Sequence, residues 1–119
     1  MRNFKNYEVW KLSHLFTLNI YQVTKEFPET EKYAVISQMQ RAAYSIPSNF
    51  SEGCGRGSDA DFNRFVQIAL GSAHEIEYFL ILVRDLKYIS IEKSEKLQAD
   101  INIIKMKLFN LSLKLKSNI

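Results

Sequence analysis

Two histidines, one cysteine and thirteen carboxylates are the groups from which an active site or metal centre would have to be built in this sequence. The densest grouping is His74-Glu75-Ile76-Glu77. Adjacent residues on a helix splay around its axis, so these polar groups do not converge on one ion. A di-iron carboxylate bundle takes its histidines from Glu-x-x-His units, and neither His14 nor His74 has a glutamate three residues before it. A hydrolytic triad would need a Ser or Cys on a strand-turn-helix elbow, which the sequence does not supply. Cys54, the lone cysteine, allows no internal disulfide and has no neighbours that would make it a nucleophile or ligand. The expectation is therefore a protein with no catalytic residues, no metal and no cofactor.

Anion chemistry leaves a fainter trace. Gly53-Cys54-Gly55-Arg56-Gly57-Ser58 resembles a phosphate cradle only superficially, because no strand precedes it and no Gly-Lys-Ser/Thr follows. It reads as a turn between helices. Outward-pointing amides at the start of the next helix, beside Arg56, could receive an anion, but Asp59 and Asp61 oppose one. Arg41, Ser45, Asn49 and Glu52 share one polar helix side and Arg64 and Glu75 another, the pattern of a solvated face or a structural hydrogen-bond network.

The elements that would position these groups are helices. Length and composition, 119 residues with 46% hydrophobic and 24% charged, fit one globular domain able to bury a core unaided. Val9, Leu12, Phe16, Ile20, Val23 and Phe27 lie on one side of a helix predicted over 6–26, which Phe27-Pro28 ends. Thr30 is the expected N-cap of a second helix over 31–52, with a seam of Ile36, Met39, Ala43, Ile46 and Phe50. Pro47 should kink it near Tyr44 or break it in two, and the Gly-rich segment from Gly53 should halt it. Ser58 with Asp61 marks the start of a third helix, seamed by Phe62, Val66, Ala69, Ala73, Ile76, Leu80 and Val83. Ser90 caps a fourth, seamed by Leu97, Ile101, Ile104, Leu108, Leu111 and Leu115. Short connections make neighbours antiparallel. The predicted fold class is all-α, an antiparallel up-and-down four-helix bundle forming a single domain over 1–119.

Two of these helices carry more apolar surface than one core needs. The outer side of the fourth holds Ala99, Asn102, Met106, Phe109, Asn110, Leu113 and Ser117 without a charge, whereas a solvent face is normally charged. Lys105 and Lys116 border one edge of that helix's core seam, and Lys107 and Lys114 border the other. On the first helix Tyr7, Trp10, His14, Leu18 and Tyr21 gather opposite the core stripe. Gly71, mid-helix and outward, costs about 1 kcal/mol relative to Ala unless another helix comes close. These faces predict a homo-oligomer. The N-terminus lacks the features of a secretory signal and no run of about 18 apolar residues occurs, so the expectation is a cytoplasmic protein without a membrane partner. A net charge of +3 and a pI near 9.0 are compatible with nucleic acid.

One ordered set of residues carries a family resemblance. The run from Gln38 to Gly53, Gln-Met-Gln-Arg-Ala-Ala-Tyr-Ser-Ile-Pro-Ser-Asn-Phe-Ser-Glu-Gly, followed by Arg64-Phe65 and Ala69-Leu70-Gly71-Ser72, resembles the bacterial 23S rRNA intervening-sequence proteins, also called S23 ribosomal proteins. The likeness extends to Phe27-Pro28-Glu29 and Glu75-Ile76-Glu77. Departures are Gln40 where arginine is common, Phe50-Ser51 where Ile-Ala is usual, and Cys54 within the Gly-rich turn. The resemblance implies a four-helix bundle, often a pentameric ring, encoded in or near rRNA intervening sequences. It also implies kinship with the accessory protein of diversity-generating retroelements, a basic pentamer that contacts nucleic acid and a reverse transcriptase.

The expected function is a non-catalytic oligomeric accessory protein that binds RNA or DNA through phosphate contacts multiplied around an oligomer. Arg2, Lys5, Lys11, Arg56, Lys105, Lys107, Lys114 and Lys116 are the candidate contacts. The alternative is a protein-interaction scaffold in which Trp10, Tyr21, Met106 and Phe109 engage other copies or a different chain.

Overall fold

A computed structural model describes residues 2–118. A short 3-10 turn, Phe4–Asn6, leads into α1 (Glu8–Thr24). The chain then passes through a 3-10 turn (Glu29–Glu31) and one π-helical turn (Lys32–Ile36) into α2 (Ser37–Cys54), followed by α3 (Asp59–Asp85) and α4 (Ile91–Ser117). Consecutive helices are antiparallel neighbours and α1 closes against α4, giving the predicted up-and-down bundle, 45 Å long and 23 by 20 Å across. Among the described residues there is no strand.

The caps of α3 and α4 form as their sequences require. Ser58 Oγ accepts from the Asp61 N–H at 3.1 Å and Ser90 Oγ from the Lys93 N–H at 3.0 Å. At the far end of α3 the Tyr88 N–H reaches back to the Val83 carbonyl at 2.9 Å, which puts Lys87 at φ 63° in the left-handed region. Thr30, in contrast, makes no capping bond. Its segment is wound into the 3-10 and π turns ahead of α2 and held by Tyr88, whose hydroxyl donates to Glu31 Oε2 at 2.7 Å. That hydrogen bond to the carboxylate pushes the Tyr88 pKa up.

Two expectations for α2 need correction. Pro47 does not break it in two, and α2 runs on through the proline. Proline has no N–H, so the Ala43 carbonyl lacks its donor four residues on. The Thr17 hydroxyl of α1 lies 3.1 Å from that carbonyl and 2.8 Å from the Ser13 carbonyl, so one hydroxyl proton serves both. The helix also outlasts Gly53 and includes Cys54, stopping only at Gly55. Gly53 is buried where α2 meets α3, and a Cβ there would lie 2.8 Å from Phe65 Cβ and 2.9 Å from Phe62 Cδ1. Cys54 belongs to the core rather than to a loop, and burial pushes its thiol up to about 11.

The seams of α2, α3 and α4 are buried largely as predicted, with Ile36 and Leu111 on the margin. The α1 stripe is rotated. Val9, Phe16, Ile20 and Phe27 are buried, but Leu12 and Val23 are only partly buried against the core while Ser13, Thr17 and Thr24 turn inward. Those hydroxyls bond the preceding turn and α2, with Thr24 Oγ1 accepting from Gln40 Nε2 at 3.1 Å, which lets small polar side chains occupy core positions. The α1–α4 junction is left as an open groove of about 210 Å³ whose lining includes Leu12, Leu15, Asn19 and Ile103. By length and composition α3 is apolar enough to cross a membrane. Its buried stripe, Phe62 through Val83, lines the bundle interior.

Candidate nucleic-acid interface

Charge is segregated along the bundle axis in a way that residue order conceals. The end where α2 stops and α3 starts also receives the N-terminal segment and the C-terminus of α4, whose Asn118 Nδ2 lies 3.5 Å from Asp59 Oδ2. The half of the bundle on that side holds Arg2, Lys5, Lys11, Arg56, Arg64, Lys107, Lys114 and Lys116, eight cations, against Glu8, Glu52, Asp59 and Asp61, four acids. In the middle of the bundle Arg41 and Lys105 balance Glu75 and Glu77. The opposite end carries six cations and seven acids, so the whole positive excess of the chain resides at one end. Helix α4 shows this alone. From Ile91 to Ile104 it has Glu92, Glu95 and Asp100 against Lys93 and Lys96, and beyond that it has four lysines and no acid. Cations at a helix C-terminus are favoured by the negative end of the helix dipole.

The eight predicted contact residues divide into two groups. Arg2 pairs with Asp59 and lies over the Phe62 ring, 4.4 Å from its centroid. Arg56 lies over Phe65 at 4.7 Å, with Asp61 Oδ2 at 3.8 Å and Glu52 Oε1 at 3.6 Å. Lys105 is tied to Glu77 at 2.8 Å with its side chain largely covered, and Lys107 lies 3.6 Å from Glu8. These four hold elements together. Lys5, Lys11, Lys114 and Lys116 are exposed and have no carboxylate within 4.0 Å among the described residues. They are the candidate contacts whose charge no carboxylate of the described residues offsets. Periodicity gave no way to separate the two groups, because the acids that occupy Arg2, Arg56, Lys105 and Lys107 lie on other elements or across a loop.

The predicted self-association residues divide similarly. Tyr7 is not on the outside of a helix. It precedes α1 in extended conformation, with its ring edge-on to Phe50 and Phe62 at 5.1 and 6.3 Å. Trp10 is half-buried, tilted against Phe4 at 5.0 Å and stacked on His14 at 5.3 Å, with an indole N–H that finds no partner among the described residues. Both close the end of the core, and His14 covers Trp10 from outside. Tyr21 remains exposed, and the apolar side of α1 open to solvent is Leu15 and Leu18, of which Leu15 had given no signal. On α4, Met106, Phe109 and Leu113 are each at least half exposed, as expected, and Ile103 joins them at 48%. Met106 and Phe109 also line an apolar hollow of about 390 Å³ against Leu70 and His74 of α3. Gly71 lies on the surface, and nothing inside the chain approaches within 4 Å of where its Cβ would be.

The polar set is only partly a network. Ser45, Asn49 and Ser72 form one, with Asn49 Nδ2 donating to the Ser45 carbonyl and to Ser45 Oγ at 2.8 Å, and Ser72 Oγ at 2.9 Å from Ser45 Oγ. It stitches α2 to α3. Glu52 belongs to Arg56 instead, and Arg64 to Asp61 and the Phe65 face. Arg41 and Glu75 stand in solvent. Among the described residues no three His, Cys, Asp or Glu side chains cluster as a metal site would require.

Comparison with known proteins agrees with this architecture. A family model described as 23S rRNA-intervening sequence protein matches residues 5–110. The crystal structure of a protein of unknown function from the S23 ribosomal protein family of Bacteroides thetaiotaomicron is 30% identical, with a TM-score of 0.79 over 87% of this chain and 97% of that one. No curated protein matches.

Proposed function

This chain belongs to the 23S rRNA-intervening sequence protein family, and from that premise we propose that it is a non-catalytic, cytoplasmic accessory protein that self-associates and binds nucleic acid, RNA in the first instance, through its cationic end. The observation that carries the reading is the segregation of charge: an excess of four cations at one end of a chain whose net charge is +3. Phosphate contacts from flexible lysines are sequence-tolerant and release counterions, so the affinity follows salt rather than base sequence. Self-association rests on the uncharged outer face of α4, where Met106, Phe109 and Leu113 stand exposed. A ring of five, the arrangement often found for the resembled family, would multiply the lysines presented to one strand.

Titration of a short single-stranded RNA with the whole chain across a salt series tests the proposal. Binding at low salt that falls linearly on a log–log plot is expected, and the variant with Lys5, Lys11, Lys114 and Lys116 all changed to Gln should lose most of that slope. Salt-insensitive binding, or none at low salt, refutes it. Salt-resistant capture of one protein by an RNA-blind chain would establish the scaffold reading in its place.

A further inference from the structure

The groove between α1 and α4 is held open by the chain's own hydrogen bonds. Phe16 and Ile104, both buried, form its floor, and Leu12, Leu15 and Ile103 form its rims. Turning α1 about its axis would carry Leu12 into the core and close the slot. It would also pull the Thr17 hydroxyl from the Ala43 carbonyl, 3.1 Å away, and Thr24 from the Gln40 amide, and a buried carbonyl left without a donor is costly. Leu15 and Ile103 therefore stay at the rim, 57% and 48% exposed. A slot that is open before anything enters it needs no rearrangement on binding. Its borders are charged in one sense. Along α4, Lys96, Asp100, Ile103, Lys107 and Lys114 keep to one row at helical spacing, and Lys11 stands on the α1 side. The two acids of these rims are already held, Asp100 by Lys96 at 2.8 Å and Glu8 by Lys107 at 3.6 Å. Lys11 and Lys114 have no carboxylate within 4.0 Å among the described residues, so an apolar slot is bordered by uncompensated positive charge.

We propose that this groove docks an acidic amphipathic helix of a different protein, its apolar stripe on Leu12, Leu15 and Ile103 and its flanking carboxylates on Lys11 and Lys114. A helix of about 18 residues would cover the roughly 27 Å from Lys96 to Lys114. A slot between two rods, with its floor on core side chains, matches a third rod, whereas a lipid surface is flat on this scale and does not reach Phe16 or Ile104. Apolar walls give a phosphate backbone nothing to bond. A second copy would have to insert a ridge of α1 or α4, and Lys11, Lys107 and Lys114 border those ridges themselves, so like charges would meet. The site lies beyond the nucleic-acid reading and does not rest on it.

Two end-capped, fluorescein-labelled peptides of that length test it on the full chain by anisotropy at low salt, one with leucines at helical spacing flanked by glutamates, the other with the same leucines flanked by lysines. The glutamate peptide should bind at least about tenfold more tightly than the lysine peptide. Leu15→Asn with Ile103→Asn, both at exposed positions, should weaken that binding at least about tenfold with helical circular dichroism and melting unchanged. Lys11→Glu with Lys114→Glu should invert the preference between the peptides. Met106→Ser with Phe109→Ser, where α4 faces the α3 hollow, should leave peptide binding at the parental level, and the Leu15, Ile103 variant should bind RNA as the parent does. Equal binding of the two peptides, undiminished binding by the Leu15, Ile103 variant, or loss of binding in the Met106, Phe109 variant overturns the proposal and leaves the nucleic-acid reading untouched. If the Leu15, Ile103 variant instead turns an associating chain into a monomer on sedimentation, the occupant is a second copy and the proposal falls as well.

Discussion

Changing Thr17 to Val should expose how α2 accommodates its internal proline. The two side chains are nearly isosteric, so the change removes one hydroxyl from a site only 8% exposed and leaves the packing volume in place. In the parent that hydroxyl lies 3.1 Å from the Ala43 carbonyl, which has no helical donor because position 47 is proline. Without it the carbonyl is buried and unsatisfied, at a cost of about 1–3 kcal/mol. For a domain of this length, with an unfolding entropy of about 2.1 cal/mol/K per residue, each kcal/mol shifts the melting temperature by roughly 4 °C, so a drop of roughly 4–12 °C is expected. The decisive assay is a double-mutant cycle by thermal and urea denaturation. In a Pro47→Ala background the residue 47 N–H can serve Ala43, and the cost of Thr17→Val should shrink by about 1 kcal/mol or more. Equal costs in both backgrounds would refute the argument that Thr17 is there for the proline, and a melting change within about 2 °C for the single variant would show that the carbonyl needs no donor.

Further substitutions probe other positions. Gly53→Ala should destabilise by about 1–3 kcal/mol in urea denaturation, because its Cβ would lie 2.8 Å from Phe65 Cβ where neither side is a flexible chain end. Lys87→Gly should raise stability by about 0.5–1 kcal/mol, since the residue sits at φ 63°. Gly71→Ala should stabilise the isolated chain by about 1 kcal/mol; if it also leaves self-association unchanged by sedimentation, no second helix packs at that glycine. Cys54 should resist thiol reagents at neutral pH until the protein unfolds. Its thiol is raised from 9.0 to about 11 in the folded chain, so the unfolded chain loses its proton first. The stability tied to the neutral thiol is complete below pH 9 and is lost as pH rises towards 11, and Cys54→Ala should show a shallower alkaline decline in urea midpoint.

Much of the architecture could be read from apolar spacing, and the reason is visible in α3. Phe62, Val66, Ala69, Ala73, Ile76, Leu80 and Val83 repeat at four and three residues, and every one is buried. Where the pattern misled, polar side chains had found partners that spacing does not reveal. Ser13, Thr17 and Thr24 replace Leu12 and Val23 in the deepest part of α1 because backbone carbonyls of α1 and α2 and the Gln40 amide occupy their hydroxyls. Tyr7 looked external because helical phase was extended through a segment that is not α-helical, and Trp10 because the Phe4 ring that covers it precedes the helix. The candidate phosphate contacts were legible as residue types but not as a surface. Lys5 and Lys116 are neighbours in kind only after antiparallel topology brings the first and last turns of the chain to one end, and only the folded chain shows which cations already hold a carboxylate.

The placement of charge on a rod 45 Å long also bears on how an encounter begins. A polyanion pulls on the cationic end and slightly repels the other, so the protein experiences a torque as well as an attraction while still separated by solvent. On the proposed function it would arrive end-first, and productive collisions would form a larger share of all collisions than for a body with the same +3 charge spread evenly. Moving two lysines from the last turn of α4 to its first turn would leave composition, net charge and fold class as they are, yet would slow association measured by stopped flow at low salt, because the molecule would have lost its sense of direction.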